Sequence, residues 1–436
     1  MDYLKLKSLV LTAGLLLLCG CNDNSQSKAA ENADLKSVIH TEKIAVKNNS
    51  AKTTPVSNQS AAKTRKVILK RAPVITRNNS PVKLYIDGIE AFPAMEKRIK
   101  SARKSLYIEI FIFHYDETGK RIAGEIIKKQ EQGVDVKVII DSVGLKFAKD
   151  DYKIVDLLKS KGVDVRVFNQ EFISGTGLNI THRKIILADG ERVIIGGMNF
   201  GKEYENEWHD SMAEMHGEIA TEIQKEFLTE WKRVGGKIPA QVPVLKPGKK
   251  YGNTPIQLVV TNVTPDDTNH ELHYSMIGVI DRAKKTVRIQ APYFSDDEMI
   301  ASIIRAGKRG VNVDIIMPQH NNHSVFKDLN LGNAKKFLEE SKNINVYFYK
   351  PVFSHLKAII ADNTAMIGSA NLDERSFTGN QELCTIIEDP ALINDLNKRL
   401  FKVDIEKSEK ATLANIKVSP VKNAMINTLE LVDYYF

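Results

Sequence analysis

The sequence predicts an α/β protein built from two tandem copies of one domain, preceded by an export signal and a disordered tether. Three observations carry this reading. A strand-start motif recurs in both halves, a set of polar residues recurs late in each half, and the first eighty residues lack the composition of a core. At 436 residues the chain has room for two or three domains. Hydrophobic residues at 42% and charged residues at 27% suit a water-soluble body and exclude a multi-span membrane protein.

The first element, residues 1–21, reads as a lipoprotein-type signal peptide. Lys5 and Lys7 make a positive start, Leu9 to Leu18 an apolar run too short to span a bilayer, and the segment ends Leu18-Cys19-Gly20-Cys21. That ending resembles a bacterial lipobox, which implies a lipid on Cys21 and a chain exported and anchored in the cell envelope; cleavage by the ordinary signal peptidase is the alternative. Residues 22–80 follow as a basic linker rich in Asn, Ser, Lys, Ala and Thr, without Phe, Trp or Tyr. As a flexible chain it would span ~40 Å, enough for an anchored body to reach across its own membrane. The linker also holds +7 of the net charge of +8, and the signal the remaining +1, which leaves residues 81–436 neutral. The basic pI therefore says little about what the body binds.

Two copies of the domain follow, at residues 81–240 and 254–436. Ala102-Arg103-Lys104-Ser105-Leu106-Tyr107-Ile108-Glu109-Ile110 aligns without gaps on Ala283-Lys284-Lys285-Thr286-Val287-Arg288-Ile289-Gln290-Ala291. Gly133-Val134-Asp135-Val136 likewise matches Gly310-Val311-Asn312-Val313, each after an amphipathic helical stretch, Arg121 to Gln132 and Met299 to Arg309. Asp296 and Asp297 read as helix-start residues. Pro239, Pro243, Pro247, Gly248 and Gly252 break every period between the copies.

The chemistry-bearing repeat comes late in each copy. His182-Arg183-Lys184 precedes Asp189, and His355-Leu356-Lys357 precedes Asp362 at the same spacing. Each His-x-Lys opens an apolar strand, whose alternation puts His and Lys on one face. Gly196-Gly197-Met198-Asn199 and Gly368-Ser369-Ala370-Asn371 follow, and eleven residues beyond each Asn stands a carboxylate, Asp210 and Glu382. Two sets in register are not a chance product. Cys384 lies in the apolar run Leu383 to Ile387 and reads as a buried strand cysteine.

This constellation resembles the phospholipase D superfamily with its doubled His-x-Lys-x4-Asp motif, and within it the bacterial cardiolipin synthases. Thr181-His182-Arg183-Lys184, Trp208-His209-Asp210 and Gly368-Ser369-Ala370-Asn371-Leu372-Asp373-Glu374-Arg375-Ser376 carry the likeness, which covers about residues 82–406. It implies two phospholipase D-like α/β/α sandwich domains facing each other across a pseudo-twofold axis, a monomer with an internal pseudo-dimer and one shared site. Three features depart from the pattern. A lipobox-like signal stands where membrane-spanning helices are usual, Gly197 stands where the second copy has Ser369, and Leu356 stands where a small residue is common.

A phosphodiester is anionic and resists attack, so a site must neutralise charge, supply a nucleophile and protonate the leaving oxygen. Lys184 and Lys357 are the expected cations, with Asn199, Asn371 and Ser369 as neutral donors. His182 and His355 suit attack and proton transfer because imidazole titrates near neutrality. Asp210 and Glu382 would accept the far ring N–H of His182 and His355, while Asp189 and Asp362 would hold local geometry and the lysines. By family analogy His182 attacks to give a phosphohistidine and His355 is the acid. The expected function is a metal-independent phosphatidyl transfer enzyme acting on phospholipid at a membrane surface, without cofactor, nucleic acid or obligate protein partner. The alternative is a metal-independent endonuclease, which the neutral body disfavours. A non-catalytic surface lipoprotein is the third class. His270-x-x-His273 and His320-x-x-His323 lack completing ligands for a metal, and the pair Asp266-Asp267 reads as loop.

Overall fold

The computed structural model describes residues 73–149, 152–169, 179–263, 268–322 and 324–416. The signal peptide, Cys21, the linker to residue 72, the pair Asp266-Asp267 and His323 lie outside the described residues. The first half forms a seven-stranded sheet from β2 (Lys83–Ile86), β3 (Ser105–Ile110), β4 (Asp135–Asp141), β5 (Asp164–Phe168), β6 (Ile185–Ala188), β7 (Arg192–Gly196) and β8 (Ser211–His216), in the order β2-β8-β7-β6-β3-β4-β5. The second half repeats that order. Its equivalents are β9 (Ile256–Val263), β11 (Thr286–Gln290), β12 (Asn312–Pro318), β13 (Ile344–Tyr349), β14 (Ala358–Ala361), β15 (Thr364–Gly368) and β16 (Glu382–Ile387), arranged β9-β16-β15-β14-β11-β12-β13. To these the second sheet adds β1 (Val74–Thr76) and β17 (Ser408–Lys410) at its two edges, and β10 (Thr268–Asn269) on β9.

Central strands buried on both faces explain the unbroken apolar runs: every residue of β3, β6, β14 and β16 is buried. β3 pairs parallel with β4, and β11 with β12, each through a crossover helix, Glu117–Glu131 and Asp297–Lys308. Those helices begin a few residues before the apolar period does, because their caps are polar. Asp116 accepts from the Gly119 N–H at 2.7 Å and Asp296 from the Met299 N–H at 2.7 Å. Each sheet buries one face under helices of its own half. Between the sheets lies a third core, in which Tyr107, Phe227 and Trp231 of the first half meet Ile316, Ile360 and Phe401 of the second.

One boundary is corrected. The linker reading ran to residue 80, yet Val74–Thr76 pairs antiparallel with β9, Val74 opposite Leu258 and Thr76 opposite Ile256. Fully buried Asn79 fastens the following turn, donating to Thr76 Oγ1 at 2.8 Å and the Thr254 carbonyl at 3.0 Å and accepting from the Ile219 N–H at 2.9 Å. Three strand residues show no period, and Asn78-Asn79-Ser80 has the composition of the tether before it. Here polar side chains are structural because they satisfy buried backbone groups. Among the described residues no helix is long and apolar enough to cross a membrane.

Candidate active site

Each His-x-Lys sits just ahead of a central strand, His182 and Lys184 before β6, His355 and Lys357 before β14. The segment before each motif crosses to the other half. Thr181 bridges Gln381 in parallel and Ser354 bridges His209. The His182 N–H donates to the Gln381 carbonyl at 2.9 Å, and the His355 N–H to the His209 carbonyl at 2.8 Å. Gln381 and His209 directly precede Glu382 and Asp210, so each bridge delivers a carboxylate to the histidine of the opposite copy. His182 Nδ1 lies 2.9 Å from Glu382 Oε1, and His355 Nδ1 lies 2.7 Å from Asp210 Oδ2. Pairing within each copy, Asp210 with His182 and Glu382 with His355, is thereby corrected: the partners are exchanged between halves.

The small residues beside the carboxylates differ for a steric reason. A Cβ on Gly197 would stand 2.3 Å from Asp210 Oδ1, so the first copy has no room for a side chain there. In the second copy the Ser369 hydroxyl donates to Glu382 Oε2, and Ser376 Oγ lies 2.9 Å from Glu382 Oε1. Ser369 and Asn199, expected as neutral donors, both have partners within the protein. Ser369 is spent on Glu382. Asn199 accepts from the Ile112 N–H at 3.0 Å and donates to the Tyr204 hydroxyl at 2.9 Å, tying the end of β3 to the loop after β7. Asn371 is buried, with a side-chain oxygen that has no partner among the described residues.

Burial sets the electrostatics. The His182 imidazole is lowered to about 4 by burial, with Lys184 and Lys357 adding to the effect and Glu382 opposing it, so it is neutral at physiological pH. Its Nδ1–H donates to Glu382, which leaves Nε2 as the nucleophile. Glu382 lies below the usual carboxylate range: the hydrogen bonds of His182 and Ser369 and the charge of Lys184 outweigh its burial. Asp210 is raised to about 6 by burial against the pull of Lys357. Burial lowers Lys357 to about 8 and pushes Lys184 well below the ordinary lysine value. Both ammonium groups fold back on their own motifs, Lys184 Nζ to the His182 carbonyl at 2.6 Å and Lys357 Nζ to His355 Nε2 at 2.9 Å. Two desolvated lysines waiting beside two histidines form a site that an anion would recharge.

Asp189 and Asp362 do not touch these lysines. Asp189 Oδ1 accepts from the backbone N–H groups of Arg103, Lys104 and Ser105 at 2.9, 2.7 and 3.2 Å, and Asp362 takes those of Lys284, Lys285 and Thr286. They follow the far ends of β6 and β14, a strand of four residues or roughly 13 Å from the motif lysines. The expectation that they hold the lysines is corrected, whereas the local geometry is theirs: they fasten the repeat that Ala102 and Ala283 begin.

The structure adds residues that motif reading passed over. Thr181, next to His182, gives its hydroxyl proton to buried Glu109 and its N–H to buried Asp141 at 2.8 Å. Gln290 Nε2 holds the equivalent Ser354 hydroxyl at 3.0 Å. Glu109 and Gln290 align in the repeat, so a polar residue at the same place in two apolar strands was the available signal. Aromatic rings frame the two histidines unequally: Phe111 lies edge-on to His182 at 5.2 Å, whereas Tyr204, Trp208 and Phe353 surround His355 at 5.8, 5.5 and 5.9 Å. Cys384 is buried in β16, its thiol pushed up to about 12 by burial. His270 and His273 turn to separate partners, the Phe377 carbonyl and Asp296. Among the described residues His114, Asp116 and Glu203 could together hold a cation, although Glu203 already pairs with His114 at 2.7 Å and Asp116 caps a helix.

The family described as cardiolipin synthase, PLD-like domain, matches residues 95–231 and 276–403, one segment in each half. A cardiolipin synthase of Clostridium perfringens (strain SM101 / Type A) is 30% identical over 353 residues, which are 77% of this chain and 72% of that one. Cardiolipin synthase 1 of Staphylococcus aureus (strain MRSA252) is 32% identical over 364 residues, 80% of this chain and 72% of that one. The crystal structure of phosphatidylserine synthase from Haemophilus influenzae Rd KW20 superposes with a TM-score of 0.65, covering 84% of this chain and 97% of that one. At 16% identity that likeness speaks for the fold alone.

Proposed function

The chain belongs to the cardiolipin synthase family of phospholipase D-like enzymes, and from that premise we propose that it is a phosphatidyltransferase that works through a phosphohistidine on His182. The observation that carries the reading is the crossed pair of histidines, each with Nδ1 committed to a buried carboxylate and with a buried lysine two residues on. His182 Nε2 attacks the phosphorus of a phospholipid while Lys184 and Lys357 neutralise the non-bridging oxygens. The P–O bond to the departing alcohol breaks, and His355 gives that oxygen its proton. His355, now neutral, takes a proton from the incoming alcohol, whose oxygen displaces His182 and closes the cycle. Phosphatidylglycerol as acceptor yields cardiolipin, and water yields phosphatidate.

The reading also includes attachment to the cell envelope through Cys21, with the linker as tether. Its support is the sequence: the lipobox-like ending and a linker without aromatic residues. Replacing Cys21 with Ser should end fatty-acid incorporation and release the protein from membranes.

The test of the activity is incubation of the purified protein with phosphatidylglycerol vesicles, with and without a trial short-chain alcohol. Cardiolipin, or the phosphatidyl ester of the alcohol, is the expected product, and plasmid DNA should stay intact. Cleavage of DNA at physiological salt as fast as lipid turnover would put the endonuclease reading first.

A further inference from the structure

His209 touches neither lysine of the site, yet the bridge that brings Asp210 to His355 is its own backbone. Its side chain is buried and closed on both nitrogens: Nδ1 lies 2.6 Å from Asp87 Oδ1, and Nε2 lies 2.7 Å from Asp404 Oδ2. Asp87 opens the helix Asp87–Ser101 of the first half and Asp404 belongs to the helix Lys402–Glu406 of the second, so one imidazole joins the halves. The Tyr349 ring of β13 stacks on it at 4.9 Å and 21°. Asp87 holds a left-handed backbone, φ 59°, and donates its N–H to the Asp210 carbonyl at 2.8 Å, so the clasp grips the peptide on both sides of Asp210's Cα. Backbone strain of this kind persists where the surroundings over-determine it.

Among the described residues the opposite junction has nothing comparable. Gln381, which occupies the place of His209 ahead of Glu382, gives its amide to the Val263 carbonyl at 3.3 Å, and its side-chain oxygen has no partner among the described residues. There the histidine segment is held instead, through Thr181, Glu109 and Asp141. The two dyads thus have different supports: the His182 segment is fixed from its own half, and the Asp210 segment is fixed by a charge shared between halves.

We propose that His209, clasped between Asp87 and Asp404, is a positioning residue for the Asp210–His355 pair, acting on proton transfer to the leaving oxygen without contacting substrate. This rests on the transferase reading above. The groups facing the imidazole are Asp87, Asp404 and the Tyr349 ring, with Asp210 the next residue in the chain. With two carboxylates against it, the imidazole is raised to about 9 despite its burial, so it carries charge at neutral pH. A displacement of about 1 Å at a catalytic dyad can cost about a hundredfold, whereas general structural loosening would slow every substrate alike.

The experiment compares His209→Gln and His209→Arg with the full-length wild type on two leaving groups: phosphatidylglycerol, which releases an alkoxide that needs a proton, and phosphatidyl-p-nitrophenol, which does not. His209→Gln should lower kcat on the first by about a hundredfold with KM unchanged but slow the first-turnover burst of p-nitrophenolate from the second by less than about fivefold, and His209→Arg should restore the first. A ¹⁵N-histidine spectrum of the wild type at pH 8 should retain an imidazole protonated on both nitrogens, absent in His209→Gln. Should His209→Gln fail to fold, His209→Gln with Asp404→Asn, which removes the imidazolium together with the buried one of its two carboxylates, carries the same comparison. Equal loss of phosphatidylglycerol turnover and of the first-turnover nitrophenolate burst, loss of neither, or a neutral His209 at pH 8 would overturn the inference. Failure of the lipid reading looks different: wild type inactive on both lipids while hydrolysing non-lipid diesters, on which the alkyl-to-nitrophenyl ratio still decides the role of His209.

Discussion

His182 and Glu382 stand 200 residues apart in the chain and 2.9 Å apart in the fold. Each histidine-and-carboxylate unit is therefore assembled only when the two sheets close on their common core, and the chemistry of one copy depends on the packing of the other.

The first prediction follows from that exchange. Glu382→Gln should behave as a His182 variant, forming little or no phosphoenzyme. Asp210→Asn should behave as a His355 variant, with turnover of alkyl leaving groups down by about a hundredfold to ten-thousandfold and an adduct persisting on His182 when p-nitrophenolate departs. Acid-free quenching and peptide mass spectrometry read the adduct. An adduct on His355 would reverse the two roles.

A second prediction concerns pH. As pH falls through about 6, Asp210 takes a proton and no longer favours the imidazolium of His355, so kcat/KM should fall. As pH rises through about 8, Lys357 loses its proton and the phosphate loses a cation, so kcat/KM should fall again. His182, lowered to about 4, stays neutral across the range and gives no limb of its own. Asp210→Asn should flatten the acid side. An acid limb near 6 that survives in that variant would assign it elsewhere.

The motif aspartates should act on stability. Asp189→Ala and Asp362→Ala each leave three backbone N–H groups without their acceptor and put Ala at a left-handed position, φ 57° and 50°. A loss of about 1–3 kcal/mol each in urea unfolding is expected. Activity of the folded protein should stay near native. A large fall in kcat without a shift in unfolding midpoint would return them to the chemistry.

Chelation supplies the fourth test. Because Lys184 and Lys357 meet the phosphate charge, turnover should survive exhaustive EDTA. Abolition by EDTA with recovery on zinc or magnesium would overturn that assignment and draw attention to His114, Asp116 and Glu203.

Much of this was legible because it is local and written twice. The repeat Ala102 to Ile110 against Ala283 to Ala291 located β3 and β11, and the His-x-Lys pairs located the ends of β6 and β14. The exchange of carboxylates was not legible, since the eleven-residue spacing from Asn199 to Asp210 and from Asn371 to Glu382 is the same in both copies. Which histidine a carboxylate meets is decided by the bridges Thr181 to Gln381 and Ser354 to His209, contacts of long sequence separation. Val74–Thr76 escaped because a three-residue strand at a sheet edge is stabilised by its neighbour's free backbone groups and not by a pattern of its own.

Inheritance looks different across such a junction. A mutation in one copy is felt by the histidine of the other, so the copies cannot drift as separate lineages. Fragments severed in the loop between residues 238 and 255 would each carry a histidine and a carboxylate and neither would own a matched pair; co-expressed they would complement, and alone each would be silent. The two pairs need not be identical: Asp210 stands beside Gly197 and Glu382 beside Ser369, one carboxylate shorter by a methylene and facing a missing side chain, the other longer and facing a hydroxyl.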